Sequence, residues 1–210
     1  MIVIVTIGPT QEPLDAMRIL TNRSTGELGT LLAASLAEHG HEVIALRGKG
    51  STASEGMLDH KRIRTIPFTT TDDLQTALEG LAREGGIRAV YHAAAVSDFY
   101  LPGAGTGKIP TSAGSLTLTL EPTPKLLPRL RGWFPEAVIT GWKFEATGNR
   151  DHALSAGRSQ IAASGTDACV VNGPSYGEGF GVISRDASLV HLPDRPSLCA
   201  HLTEGLLPLP

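Results

Sequence analysis

The sequence predicts an α/β fold with an open, mostly parallel sheet and helices on both faces, a Rossmann-like arrangement. Residues 2–6 form a β-branched apolar run, which is typical of a central strand buried on both sides. Up to residue 93, strand-like runs alternate with segments of helical periodicity in the order β-α-β-β-α-β. This alternation favours parallel strands joined by crossover helices that cover both faces of the sheet.

The first half of the chain provides that order element by element. After the strand at 2–6, residues 11–25 are polar and aperiodic, and they are as long as many functional loops. Leucines at helical spacing predict the first helix over residues 26–39. The patterns that follow predict strands at 42–46 and 64–68, a helix capped by Thr71 that runs to about residue 83, and a buried strand at 89–93.

The second half adds further strands and a C-terminal hairpin. Residues 101–115 are rich in Gly, Pro, Ser and Thr and predict a mobile loop, whereas the apolar–Thr alternation of residues 116–120 predicts an exposed or dimer-forming strand. The remaining patterns predict a short helix at 124–130, a strand at 137–144, a helix at 149–164, a strand at 167–171, a hairpin from 181–184 and 188–192, and a last helix at 195–206. No composition shift divides the chain, so residues 1–210 are expected to form a single domain.

The composition excludes several classes of protein. Apolar residues make up 41% and charged residues 19%, which is globular, and a net charge of -3 provides no basic face for nucleic acid. Two cysteines cannot build a disulfide framework, and the seven histidines show no metal-ligand spacing. No apolar run reaches the ~18 residues of a membrane span, and the N-terminus lacks a signal peptide pattern. A cytoplasmic protein that does not bind membranes is therefore expected.

Four segments of polar or small residues lie at the ends of predicted strands. They are residues 8–10, 94–98, 141–145 and 172–173. Ligands of open parallel sheets bind beyond the carboxyl ends of the strands, so these segments are expected to line one crevice.

Residues 22–29, Asn-Arg-Ser-Thr-Gly-Glu-Leu-Gly, open the first predicted helix. The N–H groups and the dipole of a helix N-terminus attract phosphate, and Ser24 adds a hydroxyl donor. Gly26 and Gly29 would let a ligand approach the backbone closely. The same residues also fit an ordinary Ser/Thr helix cap with a glycine for packing, so both interpretations stay open. The segment is not a Walker A loop, because no Gly-Lys-Ser/Thr follows.

Further polar residues also have two interpretations each. Asp98 could hold a metal ion or a ligand hydroxyl, or it could be a turn aspartate. Lys108 could stabilise charge from its Gly-rich loop, or it could be a solvated surface lysine. Asn172 precedes Gly173 and fits a plain turn. His92 is interpreted as a core or strand-end residue.

Taken together, the segments resemble the phosphopantothenate–cysteine ligase family, in its stand-alone form and closest to the eukaryotic type. Residues 6–15 match a Thr-x-Gly-x-Thr-x-Glu-Pro-Leu-Asp start, and residues 18–26 match an Arg-x-x-x-Asn-x-Ser-Ser-Gly stretch in which Thr25 replaces the second serine. Residues 93–100 read Ala-Ala-Ala-Val-Ser-Asp-Phe-Tyr, as in the eukaryotic branch. Residues 142–147 and 170–172 are similar to later motifs of the family.

The resemblance implies a reaction that joins 4′-phosphopantothenate to cysteine in coenzyme A biosynthesis. A nucleotide, ATP or CTP, would first activate the carboxylate as an acyl-nucleotidylate, with Mg²⁺ as the cation and with release of pyrophosphate. Cysteine would then displace the nucleotide monophosphate. No flavin is expected, because the flavin-dependent decarboxylase domain of the bifunctional members does not precede these residues.

The resemblance also implies roles for individual residues. Asn22 and Lys108 would be catalytic, with Asn22 contacting the acyl-nucleotidylate and Lys108 stabilising charge during nucleotidyl transfer. The nucleotide would be bound by Gly8, Ser24, Gly26, Gly29, Trp142 and Asn172. Phosphopantothenate would be bound by Ala94, Ala95 and Asp98, and Asp98 would also bind the cation. A homodimer is implied as well, through a dimerisation arm that holds residues 116–120.

The chain departs from the family pattern at two of the matched positions. Pro9 replaces the second glycine of the first turn, which removes a backbone donor, and Trp142 stands where the family has Phe.

Two other functions remain as alternatives. One alternative is an NAD(P)-dependent oxidoreductase of the short-chain type, although the sequence lacks its Gly-x-x-x-Gly-x-Gly and Tyr-x-x-x-Lys motifs. The other is a non-catalytic nucleotide-binding module.

Overall fold

The computed structural model of the chain describes residues 1–110, 112 and 114–206. Its strands are β1 (Ile2–Ile7), β2 (Gln11–Pro13), β3 (Ile19–Thr21), β4 (Glu42–Gly48), β5 (Ile63–Phe68), β6 (Ile87–His92), β7 (Phe99–Tyr100), β8 (Glu121–Pro122), β9 (Val138–Phe144), β10 (Ala168–Asn172), β11 (Phe180–Ser184) and β12 (Leu189–Leu192). Its helices are α1 (Glu27–Glu38), α2 (Thr71–Glu84), α3 (Leu127–Trp133), α4 (Arg150–Ser164) and α5 (Arg195–Glu204), and a 3-10 turn covers Glu55–Leu58.

The main sheet has eight strands in the order β12–β11–β10–β9–β6–β1–β4–β5. The six strands from β10 to β5 in this order run parallel. β11 and β12 continue the sheet as an antiparallel hairpin. The predicted open, mostly parallel sheet and its C-terminal hairpin are therefore confirmed.

Helices cover both faces of the sheet, as predicted. On one face, α1 and α5 bury Leu32 and Leu198 against the sides of β1 and β4 that carry Val5 and Val43. On the other face, α2 and α3 pack on a second apolar cluster that contains Ile4 of β1, and α4 packs on β10. The described part of the chain contains no helix that is long and apolar enough to cross a membrane.

Two helix starts differ from the prediction, each for a local chemical reason. α2 is capped by Thr70 and not by Thr71: the Thr70 hydroxyl accepts from the Asp73 amide, and the Asp73 carboxylate accepts from the Thr70 amide. This reciprocal capping box satisfies two otherwise unpaired donors. α3 begins at Leu127, about one turn later than predicted, with Pro128 in its first turn, where proline fits a helix best.

The segment predicted to be an aperiodic loop, residues 11–25, contains the β2–β3 hairpin. Its connecting turn is held by Asp15, whose carboxylate accepts from the backbone amides of Met17 and Arg18 at 2.8 Å each. A three-residue strand is too short to show a period-2 pattern, which is why the sequence did not reveal it.

Residues 116–120 do not form the predicted strand, although the structure describes all five. The nearest ladder begins at Glu121, where β8 pairs with β7. A strand requires a partner for its backbone groups, and no other strand of the described chain lies beside these residues. Whether they serve as a dimerisation arm stays a prediction.

Candidate active site

The ends of the parallel strands meet at one edge of the sheet. The Ala95 amide donates to the Gly8 carbonyl at 3.0 Å, which links the segments that follow β6 and β1. The Glu145 amide donates to the Asn172 carbonyl at 2.9 Å, which links the ends of β9 and β10. Because the end of β6 also pairs with β9, His92 opposite Gly141, the four segments form a continuous edge at the position where open α/β sheets bind ligands.

A cavity of about 280 Å³ lies at the N-terminus of α1. It brings together four of the six predicted nucleotide-binding residues, Ser24, Gly26, Gly29 and Asn172. The N-cap of α1 is Gly26, which has no side chain to cap the helix, and the Glu27 amide donates to the Thr25 hydroxyl at 3.3 Å. The other amides of the first turn lie at this cavity with the positive end of the helix dipole, an arrangement that suits an anion.

The glycines at this edge are required for packing of the backbone. Gly26 has φ 76°, and a Cβ there would overlap the Ser51 hydroxyl. Gly8 has φ 79°, and its Cβ would lie 2.8 Å from the Ser51 Cβ. A Cβ on Gly29 would lie 3.0 Å from the Ile7 side chain, so Gly29 lets α1 approach β1. A bulky residue at Gly26 would consequently disturb the fold before it reached any phosphate.

The cavity at the N-terminus of α1, called the α1 cavity below, is also lined by two arginines that were not predicted as site residues, Arg23 and Arg195. Arg195 pairs with Glu27 across the cavity at 3.6 Å. Arg23 lies within residues 22–29, the segment predicted to bind phosphate, so its positive charge could have identified it as a site residue from the sequence. Arg195 is 168 residues away along the chain from Glu27, and no local pattern predicts that contact.

Asn22 lies beside the predicted substrate-binding segment. Its side-chain amide donates to the carbonyl of Val96 at 2.9 Å and to that of Ala95 at 3.4 Å. Asn22 therefore connects the strand that precedes α1 to the loop that follows β6. Its side chain is exposed, so this tie is accessible to a ligand.

A second cavity, of about 340 Å³, opens on the face of the sheet that α3 and α4 cover. Of the predicted site residues it is lined by Ala94, Asp98 and Trp142, whereas Ala95 bridges to Pro9 and lies outside the lining. The Trp142 ring packs edge-on against Tyr91, with 6.5 Å between centroids, in the apolar cluster under α1. Its indole Nε1 is buried without a partner in the described chain.

Asp98 is held in an ion pair, and its role in binding a cation stays a prediction. Its carboxylate pairs with the Lys125 ammonium, and both side chains are exposed. The described residues hold no group of three or more His, Cys, Asp or Glu side chains that could share a metal ion. A single carboxylate is enough only for a Mg²⁺ ion that arrives already bound to the phosphates of a nucleotide.

Lys108 is exposed and lies outside the linings of both cavities. The loop around it is nevertheless tied down. The Ile109 amide donates to the Asp15 carboxylate at 3.0 Å, and the Ala16 amide donates to the Gly107 carbonyl at 3.4 Å. Asp15 is buried and also pairs with Arg18. The predicted mobile loop is therefore anchored on the β2–β3 turn on both sides of Lys108.

Asp15 makes the stability of this anchor dependent on pH. The Ile109 amide first, and then the Met17 amide and Arg18, lower the pKa of the Asp15 carboxyl from 3.8 to about 2. A lowered folded-state pKa stabilises the protein above the unfolded value of 3.8, and the contribution is lost as the pH falls through about 2. We expect Asp15→Asn to be less stable than the native chain at pH 7, with a difference that shrinks between pH 4 and pH 2.

Urea unfolding at pH 7, 4, 3 and 2, followed by circular dichroism, measures that difference. Asp72→Asn is the matched control, because Asp72 is exposed in the first turn of α2. A stability gap between Asp15→Asn and the native chain that stayed constant down to pH 2 would show that the carboxylate does not anchor the turn.

Fold and site together define an α/β domain with a helix N-terminus and a cavity at the carboxyl edge of a parallel sheet. Residues 1–198 match the model of the DNA/pantothenate metabolism flavoprotein C-terminal domain. The chain belongs to this family.

Curated relatives support the same assignment. The chain is 34% identical over 170 residues to the coenzyme A biosynthesis bifunctional protein CoaBC of Thermococcus kodakarensis, and the alignment covers 81% of this chain and 40% of that protein. It is 30% identical over 197 residues to human phosphopantothenate–cysteine ligase, and that alignment covers 69% of this chain and 63% of the human protein. The chain thus spans less than half the length of the bifunctional relative.

Solved structures share the fold. The DNA/pantothenate metabolism flavoprotein of Streptococcus pneumoniae aligns with a TM-score of 0.85 at 22% identity, covering 98% of both chains. A Cab2 mutant in complex with phosphopantothenate-cysteine aligns with a TM-score of 0.80 at 21% identity, covering 97% of this chain and 85% of that one. The predicted Rossmann-like sheet is therefore that of known members of the fold.

Proposed function

We propose that this chain joins 4′-phosphopantothenate to cysteine, in coenzyme A biosynthesis, at the expense of a nucleoside triphosphate. Membership of the family and the names of its curated relatives support the proposal. The structural observation that carries it is the contact of Asn22 with the Ala95 and Val96 carbonyls, because it brings the predicted catalytic amide and the predicted acid-binding segment to one edge of the sheet.

The reaction has two steps. A carboxylate oxygen of phosphopantothenate attacks the α-phosphorus of ATP or CTP, and the bond to the β-phosphate breaks to release pyrophosphate. The cysteine amine then attacks the acyl carbon of the acyl-nucleotidylate. An amide bond forms, the amine loses a proton, and the nucleotide monophosphate leaves. Both steps build negative charge on oxygen, which fixed donors and cations stabilise.

In this proposal the α1 cavity holds the phosphates of the nucleotide. The first-turn amides of α1 beyond Glu27 and the Ser24 hydroxyl donate to them, and Arg23 adds positive charge. Arg195 adds its charge when it exchanges Glu27 for a phosphate. Gly8, Gly26 and Gly29 act by keeping the loop backbone tightly packed. Asn172 also lines this cavity. Trp142 does not line it and would have to contact the nucleotide from the apolar cluster under α1.

The acid substrate is placed against Ala94, Ala95 and Asp98, with Asn22 contacting the acyl-nucleotidylate. Asp98 must leave Lys125 to meet a Mg²⁺ ion carried by the triphosphate. Lys108 supplies a cation from the anchored loop. That loop must bend toward the phosphates, since Lys108 lies outside both cavities in the ligand-free chain.

A pyrophosphate-release assay tests the proposal. Purified protein is incubated with phosphopantothenate, Mg²⁺ and either ATP or CTP, with and without cysteine. We expect pyrophosphate to require both the acid and one of the nucleotides, and we expect the amide product and nucleotide monophosphate only with cysteine. Thermal protection by NADPH without any pyrophosphate would favour the oxidoreductase, and nucleotide binding without turnover would favour a non-catalytic module.

A homodimer is part of the proposal and gives a separate prediction. Leu116 is 54% exposed, and within the described chain residues 116–120 pair with no strand, so a second copy could supply the partner. We expect sedimentation at micromolar concentration to give twice the 22.1 kDa chain mass. The double variant Thr117→Pro with Thr119→Pro removes two backbone donors and should sediment as a monomer.

The control for the dimer prediction is Thr106→Pro, in the preceding loop. It should leave the sedimentation unchanged. A native chain that sediments as a monomer would refute the arm, and a dimer that survives both prolines would place the interface elsewhere.

A further inference from the structure

His92 lies at the last position of β6 with only 7% of its surface exposed. Its side chain projects to the face of the sheet that α3 and α4 cover, and it lines the 340 Å³ cavity together with Ala94 and Asp98. The sequence predicts a core or strand-end residue at this position. This buried polar ring therefore lies where a ligand in the cavity could contact it.

The Thr6 hydroxyl bears on which ring nitrogen carries the proton. It accepts from the Ala94 amide at 3.0 Å and lies 3.1 Å from His92 Nδ1. A hydroxyl can accept twice, so the Ala94 bond alone does not set the tautomer. We assign the proton to Nε2 because the Thr6 hydrogen then has Nδ1 as its acceptor. Burial lowers the pKa of His92 to about 4, so the ring stays neutral at neutral pH.

The two nitrogens lie on opposite edges of the ring, so with Thr6 of β1 at the Nδ1 edge, Nε2 points away from β1. The residue paired with His92 on β9 is Gly141, and the space that a Cβ there would take is filled by Gln160, whose amide nitrogen would lie 2.7 Å away, and by Leu127. Within the described chain the His92 ring makes one hydrogen bond, to Thr6, and His92 lines the cavity, which leaves Nε2 as the ring nitrogen available to a ligand there.

The charges around the cavity are arranged by depth. Lys125 and Asp98 are 63% and 66% exposed at the mouth, and Lys143 is partly exposed and paired with Glu145. The rest of the lining is uncharged and contains the neutral His92, Gln160 and small or apolar side chains. Phosphopantothenate is charged at both ends, by its phosphate and its carboxylate, and its hydroxyl and amide groups lie between them. These uncharged polar groups are the part of the substrate that suits a neutral imidazole.

We propose that His92 is a substrate-binding residue whose Nε2–H donates to an uncharged oxygen, a hydroxyl or an amide carbonyl, in the pantothenate part of the acid substrate. The inference rests on the proposed function, because it takes the acid substrate from there. It adds a specificity contact that neither the motifs nor the relatives assign to this position.

The test is direct binding of phosphopantothenate and of pantothenate, measured by calorimetry in the absence of nucleotide. His92→Asn retains a group that can accept from Thr6 but withdraws the outer donor, and His92→Gln retains a donor near the Nε2 position. We expect Kd for both ligands to rise about ten-fold in His92→Asn and in His92→Leu and less than three-fold in His92→Gln. His39→Leu, which removes an exposed histidine after α1, should leave Kd unchanged.

The outcomes separate this inference from the proposed function. Native Kd values in a folded His92→Asn would overturn it. A penalty seen with phosphopantothenate but not with pantothenate would also overturn it, since the contact would then be to the phosphate. If the native chain binds pantothenate with the predicted variant pattern but releases no pyrophosphate, the His92 contact stands and the proposed ligase activity fails.

Discussion

Lys108→Gln is expected to lower the rate of pyrophosphate release by about 100- to 1,000-fold, the effect of removing one donor to charge that develops in a transition state. The lysine is exposed in the free chain, where water screens its charge. Bound nucleotide excludes water, and the ammonium then interacts much more strongly with the triphosphate. The measurement is single-turnover pyrophosphate release at saturating phosphopantothenate and nucleotide.

The hydrogen bond between the Ile109 amide and Asp15 allows the effect on rate to be separated from an effect on stability. Because Ile109 is held by Asp15, Lys108→Gln should leave the loop in place and the free energy of unfolding nearly unchanged. Lys61→Gln, at another exposed lysine, is the control and should retain the native rate. Native turnover in Lys108→Gln would show that Lys108 is a solvated surface lysine. The cation would then have to be Lys143, which is paired with Glu145 at 3.2 Å and lines the second cavity.

The sheet could be predicted from the sequence because its signals are local. The β-branched run of β1 and the apolar run of β6 each show burial on both faces within six residues. The C-terminal hairpin of β11 and β12 was also visible as two strand-like runs separated by a short turn. Such strands are stabilised by distant partners, but their unbroken apolar runs show burial on both faces without a need to know which elements cover them.

The features that were missed depend on contacts between distant residues. The β2–β3 turn is stabilised by Asp15, whose carboxylate also accepts from the Ile109 amide 94 residues away. The failed strand at 116–120 has the right alternation but no neighbour in the described chain. Side-chain alternation is thus insufficient for a strand without a partner ladder.

Part of the predicted site lies together in the structure, and its binding roles stay predictions. Ser24 and Asn172 line the α1 cavity, where a helix N-terminus lies beside a strand end. The sequence left both ligand approach and packing open for Gly26 and Gly29, and in the structure Gly26 packs against Ser51 and Gly29 against Ile7. A glycine that faces a ligand and one that faces a neighbouring side chain look the same in a sequence, because only the surroundings differ.

Asn22→Asp is expected to separate the two steps of the proposed reaction. The native amide donates to the Val96 and Ala95 carbonyls, and a carboxylate cannot donate to either. The substitution also places a negative charge beside the acyl-nucleotidylate, whose phosphate is already negative. We expect pyrophosphate still to form, while amide formation slows by about 100-fold, as for a lost transition-state donor. Quenched-flow measurement of pyrophosphate and of the amide product in one experiment provides both rates.

Asn22→Ala separates the effect of the added negative charge from the effect of the two lost hydrogen bonds, because it removes those bonds without adding a carboxylate. If charge is responsible, Asn22→Ala should form the amide at least ten-fold faster than Asn22→Asp. Equal rates in the two variants would show that Asn22 acts only by holding the loop after β6 in place. Loss of pyrophosphate release in Asn22→Asp would place its effect in the first step and contradict the predicted role. Because Asn22 is exposed, both variants should fold, so each of these results reports on the chemistry of the site.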